Sequence, residues 1–173
     1  PGTNLREVSQ PYLHTLAQAT GDMVFLVGRS GHESICLSRI AGNYPIQTMT
    51  RTEGDRHPLG VGAGGLAILA SMRDAEIRLV LEAVQPRLQA YQITPERILK
   101  AIDDTRGRGG IAIDAGNAAL DVTAIGRTVH DRGRAPVASV FVASIGERMM
   151  DSRQKQVTRL LVDCVNSIEH VFH

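Results

Sequence analysis

Apolar side chains recur at helical spacing towards both ends of this chain and fall into short strand-like runs between them. Leu5, Val8, Leu13 and Leu16 mark a first helix, interrupted by Pro11 and ended by Gly21. Met23 to Val27 and Ser34 to Ile40 are apolar, partly alternating segments, and Ser30-Gly31-His32-Glu33 between them predicts a hairpin. Ile46 to Arg51 predicts a third strand. Helices are expected near Gly64–Met72 and Asp74–Val84, and a further one begins with Thr94 as N-cap and Pro95 in its first turn. Ile111–Asp114, Asp121–Val129 and Pro136–Ser144 then supply strands. From Asp151 to Phe172 a closing helix carries Val157, Leu160, Leu161, Cys164, Val165, Ile168 and Phe172 on one face. Hairpin-linked strands with helices to the sides imply a mixed α/β layer fold.

No internal repeat, low-complexity segment or linker divides the sequence, so residues 1–173 are expected to form one domain able to bury a substantial core. A formal charge of +1 gives no electrostatic case for nucleic-acid binding by this segment, because phosphate recognition shows as a clustered basic surface. Its densest basic spot, Arg106 and Arg108, sits beside Asp103 and Asp104 and reads as a solvated helix end. Cys36 and Cys164 lie far apart in apolar settings, which suits buried thiols in a reducing compartment better than a disulfide. No secretory signal and no bilayer-length apolar run occur, so the expected place is the cytoplasm, with no membrane partner. The six histidines show no metal-ligand spacing, and no cofactor is expected.

Candidate chemistry begins at Gly60, Gly62, Gly64 and Gly65, where backbone comes close to whatever lies opposite and the following helix leaves its first N–H groups unpaired. Such a helix start attracts a carboxylate or phosphate. The same glycines equally suit a tight turn and close packing of helix on sheet. A nucleotide P-loop is excluded, because Leu66 stands where Lys-Ser/Thr is needed. Asp114, at the end of a short strand, is either a ligand acceptor or a turn cap. Alternation places Val122, Ala124 and Gly126 on one strand face, and Ser139, Phe141 and Ala143 on one face of the next. His130 and Asp131 are adjacent on a strand and point to opposite faces, so they do not form an acid–base couple. Neither a G-x-S-x-G elbow nor a reactive-cysteine signature is present.

Two stretches carry a resemblance. Gly110 to Asp131, GIAIDAGNAALDVTAIGRTVHD, leads into the turn Arg132-Gly133-Arg134, and upstream Gly54-Asp55-Arg56-His57-Pro58-Leu59 runs into Gly62-Ala63-Gly64-Gly65 and an apolar helix. With Thr20-Gly21 before the first strand and the closing helix, this order resembles the effector-binding domain of IclR-type transcriptional regulators over nearly the whole chain. The resemblance implies an α+β fold with a GAF-like antiparallel sheet flanked by helices. It implies effector contacts at Ala63, Gly64 and Asp114, a pocket face of Val122 and Ala124, an apolar lid or wall of Ile46 and Met49, with a plain core role for Met49 left open, and further contacts at Phe141 and Ala143. Arg127 is directed away from that face.

Departures from the family pattern fall at Asn117, where Glu is usual, at Asp121, where Gly is usual, and at Arg127-Thr128, which replaces Ala-Pro. Phe141 and Ala143 lack the hydroxyls that readers of small oxo-acids place there, so the implied effector is an aromatic or otherwise hydrophobic organic acid. The function implied is that of a sensing and oligomerisation domain, not an enzyme. It would assemble as a homodimer or homotetramer and act on DNA through a winged helix-turn-helix domain preceding Pro1. Two other classes remain open on the residues alone. One is a free-standing GAF-like signalling sensor, and the other is a small enzyme on an organic acid, with Asp114 as general base and the glycine loop as oxyanion site.

Overall fold

The computed structural model describes residues 2–116 and 121–172, so Asn117 lies outside the described residues. Helix α1 (Gly2–Thr20) leads into the hairpin β1 (Met23–Ser30) and β2 (Glu33–Ile40), and after a long loop β3 (Arg56–Pro58) adds to β2. Helices α2 (Gly62–Ala70), α3 (Asp74–Leu88) and α4 (Pro95–Gly107) follow, with a short 3₁₀ turn at Gln89–Tyr91. Strands β4 (Ile111–Asp114), β5 (Val122–His130) and β6 (Pro136–Ile145) complete a six-stranded sheet of order β3-β2-β1-β6-β5-β4, and α5 (Asp151–Val171) ends the chain. Every pairing in that sheet is antiparallel. The fold is α+β, as the resemblance implied.

Strand alternation divides the core in two. Phe25, Val27, Ala124 and Phe141 face α2, α3 and α4, where they meet Leu66, Ile68, Leu69, Ile77, Val84, Ile98 and Ile102. Val24, Leu26, Ile125, Val140 and Val142 face α1 and α5, against Leu13, Leu16, Val157, Leu161, Val165 and Ile168. Covered on both sides, β1 is buried from Met23 to Gly28, which is why its sequence reads as an apolar run with only partial alternation. Burial pushes the thiols up, Cys36 to about 11 and Cys164 to about 12, so both stay uncharged at neutral pH.

Two local expectations are corrected. The first helix runs unbroken through Pro11, because burying Leu5, Leu13 and Leu16 outweighs the one backbone bond the ring removes. Ile46 to Arg51 is not a strand. The edge of β2 that it would extend is taken by later residues: Gly54 N–H donates to Cys36 O (2.8 Å), Cys36 N–H to Asp55 O (3.1 Å), and Arg56–Pro58 forms the ladder. Side chains shape the displaced loop instead. Gln47 donates to Gly21 O (3.0 Å) and Tyr44 O (2.7 Å) while accepting from Gly42 N–H (3.1 Å).

At the N-terminal side of β1, Asp22 is 1% exposed and pairs with Arg148 (3.0 Å) and Arg153 (2.8 Å). This ties the entry of the sheet to the α5 region, since Arg153 also donates to Thr20 O.

Candidate functional site

Between α2 and its sheet face lies a cavity of about 420 Å³, partly open to solvent. Its lining comes from five places: the loop before β3 (Thr50, Arg51), β3 (His57), the start of α2 (Val61, Gly62, Ala63, Gly64), the segment leading into α4 with its first turn (Tyr91, Gln92, Ile93, Arg97), and the sheet with the turn after β4 (Asp114, Gly116, Val122, Ala124, Phe141).

The glycine loop places α2 so close that side chains are excluded. A Cβ on Gly64 would stand 2.8 Å from Val27 Cγ2 and 2.9 Å from Phe141 Cδ1, and one on Gly126 would stand 2.9 Å from Ala63 O. Close packing of helix on sheet is therefore real, and it coexists with a cavity at the helix start. Ser139 Oγ donates to Gly64 O at 2.9 Å and pins the first turn to β6. The N-cap of α2 is Val61, which offers no side-chain acceptor to the first turn. The positive end of this helix, Gly62 to Gly64, thus borders the cavity without a cap.

Phe141 and Phe25 stack with ring centroids 4.5 Å apart and 13° between planes, and Phe141 with Val122 and Ala124 makes an apolar wall. Asp114 lines the cavity while one carboxylate oxygen accepts from Gly116 N–H at 3.0 Å, leaving the other free of bonds among the described residues. It is therefore both a turn cap and a cavity group.

Arg51 is 5% exposed and fixed by Asp55 Oδ1 (2.7 Å), Ser34 Oγ (3.0 Å) and Ser34 O (3.1 Å). Burial opposes ionisation of Asp55, but the Thr52 N–H and the Arg51 guanidinium outweigh it and hold the carboxyl below its ordinary range. Burial, with Arg51 and Arg87 nearby, lowers the pKa of His57 despite Asp55 3.9 Å away. At neutral pH its ring is uncharged, and it packs against Tyr91 with centroids 5.5 Å apart.

Of the nine residues expected at the site, the structure brings six to the cavity: Ala63, Gly64, Asp114, Val122, Ala124 and Phe141. Ile46 and Met49 stand on the displaced loop with 53% and 65% exposure, outside the lining, because without a strand there is no alternation to turn them inward. Ala143 is 1% exposed and lies opposite Met23 and Ala124 in the core. Arg127 points elsewhere, donating to Gly109 O at 3.3 Å. His130 meets Glu169 of α5, whose carboxylate accepts from its backbone N–H (2.7 Å) and lies 3.2 Å from Nδ1. Sequence reasoning missed Arg51, His57, Tyr91 and Arg97. The one local signal for Arg97 was the Thr94-Pro95 cap, which sets it three positions beyond the cap, beside the inward-facing Ile98.

The family described as bacterial transcriptional regulator IclR C-terminal matches residues 2–170, and the chain belongs to that family. Its fold is similar to that of the IclR of Thermotoga maritima, at TM-score 0.86 and 23% identity over 96% of this chain and 68% of that one. An IclR family transcriptional regulator from Brucella abortus gives 0.80 and 20% over 98% and 64%. The repressor BlcR of Agobacterium tumefaciens gives 0.79 and 20% over 96% and 65%. No curated protein matches the sequence. The family is one of transcriptional regulators, and the chain corresponds to about two thirds of these relatives. Among the described residues no helix is long and apolar enough to cross a membrane.

Proposed function

We propose that residues 1–173 form one effector-sensing and oligomerisation domain of a cytoplasmic transcriptional regulator, and that the cavity under α2 is its effector site. The observation that carries this reading is the meeting of six family-implied residues, Ala63, Gly64, Asp114, Val122, Ala124 and Phe141, around one space of about 420 Å³. That volume falls in the range of small-molecule sites and exceeds what a two- or three-carbon acid fills.

The lining suits an acid with an aromatic or otherwise hydrophobic body. Phe141, Val122, Ala124, Val61 and Ile93 supply apolar contact, and the start of α2 supplies backbone donors. Asp114 accepts from a hydroxyl or shares a proton with the effector. Ser139, the one hydroxyl on that face of β6 near the helix start, is committed to Gly64 O. The domain performs no catalysis in this reading. Effector binding shifts the packing of protomers in a dimer or tetramer, and so the spacing of attached DNA-reading domains, by its difference in affinity for the two arrangements.

A thermal-shift screen with small oxo-acids, aromatic acids and sugar acids tests this, since a ligand of the native state raises its melting point by mass action. Aromatic acids are expected to stabilise the wild type and to lose that effect in Asp114→Ala. Stabilisation by two- or three-carbon oxo-acids alone would overturn the effector class, and stabilisation by no acid would overturn the sensor reading.

A further inference from the structure

We propose that Arg97 is the residue through which this cavity reads the charge of its effector, selecting an anion over a neutral group of the same shape. The inference rests on the reading of the cavity as an effector site, and adds to it a specificity-determining residue outside the positions that the family resemblance supplies.

Within the lining, the charges are unequally matched. Arg51 is already neutralised: its guanidinium is held by Asp55 at 2.7 Å and by two atoms of Ser34. His57 is an uncharged ring, half-buried beside Arg51 and packed on Tyr91. Asp114 contributes a negative charge and has one oxygen occupied by Gly116 N–H. Arg97 is the remaining lining cation, and among the described residues it makes neither a hydrogen bond nor an ion pair through its side chain. An arginine fork left open at a cavity wall matches a carboxylate, which it can bind through two parallel N–H donors.

The wall that carries it is built to hold one shape. Thr94 Oγ1 accepts from Arg97 N–H at 3.2 Å, so the first turn of α4 is capped at this residue. Just before it, Gln92 also lines the cavity and adopts a left-handed backbone with φ of 57°, one of two described non-glycine residues with positive φ. Gln92 N–H closes the turn on Gln89 O (3.0 Å) and Ile93 N–H reaches back to Leu88 O (3.4 Å). A non-glycine residue kept in this conformation stores strain that the surroundings must hold, and such strain clusters where ligands are gripped. Ile98 on the next position is fully buried, whereas Arg97 itself is exposed and lines the cavity.

Isosteric pairs separate charge from shape. Benzoate with benzamide, and cyclohexanecarboxylate with its amide, are titrated by calorimetry into the wild type, Arg97→Gln and Arg97→Lys. The wild type is expected to prefer each acid by about tenfold, the usual strength of a charge-assisted bond in a partly open site. Arg97→Gln reduces the preference to about twofold by weakening the acid alone, Arg97→Lys restores part of it, and raising the salt shrinks it in the wild type. A merely structural role would weaken acid and amide together. If Arg97→Gln weakens both alike, or leaves the preference for acid intact, the proposal is overturned while the effector site stands. If no member of either pair binds the wild type, the effector site itself falls, and this inference with it.

Discussion

One methyl group at Gly126 tests the contact that seats α2 on the sheet. In Gly126→Ala the new Cβ would stand 2.9 Å from Ala63 O, 3.2 Å from Ala63 C and 3.3 Å from Phe141 Cβ. Two of these atoms are backbone at the start of α2, so no side-chain rotation relieves the clash, and the helix must move by several tenths of an ångström. Ser139 resists that movement through its bond to Gly64 O. Overpacking of this kind costs roughly 1–3 kcal/mol, and replacing a strand glycine by alanine returns about 0.5–1 kcal/mol. The net loss is about 1–2 kcal/mol, which for a chain of this size lowers Tm by roughly 2–8 °C. Urea unfolding checks the same quantity, with a lower midpoint at unchanged slope. Gly107→Ala is the control: nothing lies within 4 Å of its Cβ and its φ is not left-handed, so it should be neutral or gain up to about 1 kcal/mol. A Tm for Gly126→Ala equal to or above the wild type would refute the packing argument.

Three further outcomes follow from the structure. Asp22→Ala leaves Arg148 and Arg153 without their buried carboxylate and should cost about 2–4 kcal/mol, the arginines being partly able to turn to water; denaturant titration measures it, and a loss under 1 kcal/mol would contradict the reading. Phe141→Ala removes the stacked partner of Phe25 from a site 4% exposed and should cost about 3 kcal/mol, at the low end for such truncations because one side already faces the cavity; a change below 1 kcal/mol by the same titration would count against it. The lowered pKa of His57 means that the unfolded chain takes up its proton first, so its contribution to stability is full above about pH 6.5 and is lost as pH falls through its folded value. His57→Gln should therefore lose less stability than the wild type on going from neutral to mildly acidic pH, and parallel curves would contradict this.

How far the fold could be read in advance depended on whether neighbours in sequence are neighbours in space. The two terminal helices were visible because one stripe of each meets a single sheet face, and the β1–β2 hairpin because Gly31-His32 joins strands that pair directly. Ile46 to Arg51 misled because its pattern suits a strand while the edge it would need is claimed by Gly54 to Pro58, a competition settled only in three dimensions. Pro11 misled for a related reason: local propensity gave way to the burial of Leu13 and Leu16. At the site, Ala63, Gly64, Asp114, Val122, Ala124 and Phe141 came through the family resemblance, supported by alternation along β5 and β6. Arg51, His57, Tyr91 and Arg97 did not, because each sits on a loop, a short edge strand or a helix start whose approach to the cavity is set by packing among α2, α3 and α4.

Whether this cavity receives a small acid is decided by following backbone amide resonances of the chain during titration with an aromatic acid such as benzoate. Saturable shifts are expected to concentrate at Ala63, Gly64, Ile93, Arg97, Asp114 and Ala124, with α5 undisturbed. Shifts centred on α1 and α5, or a titration that never saturates and touches no cavity residue, would contradict this expectation.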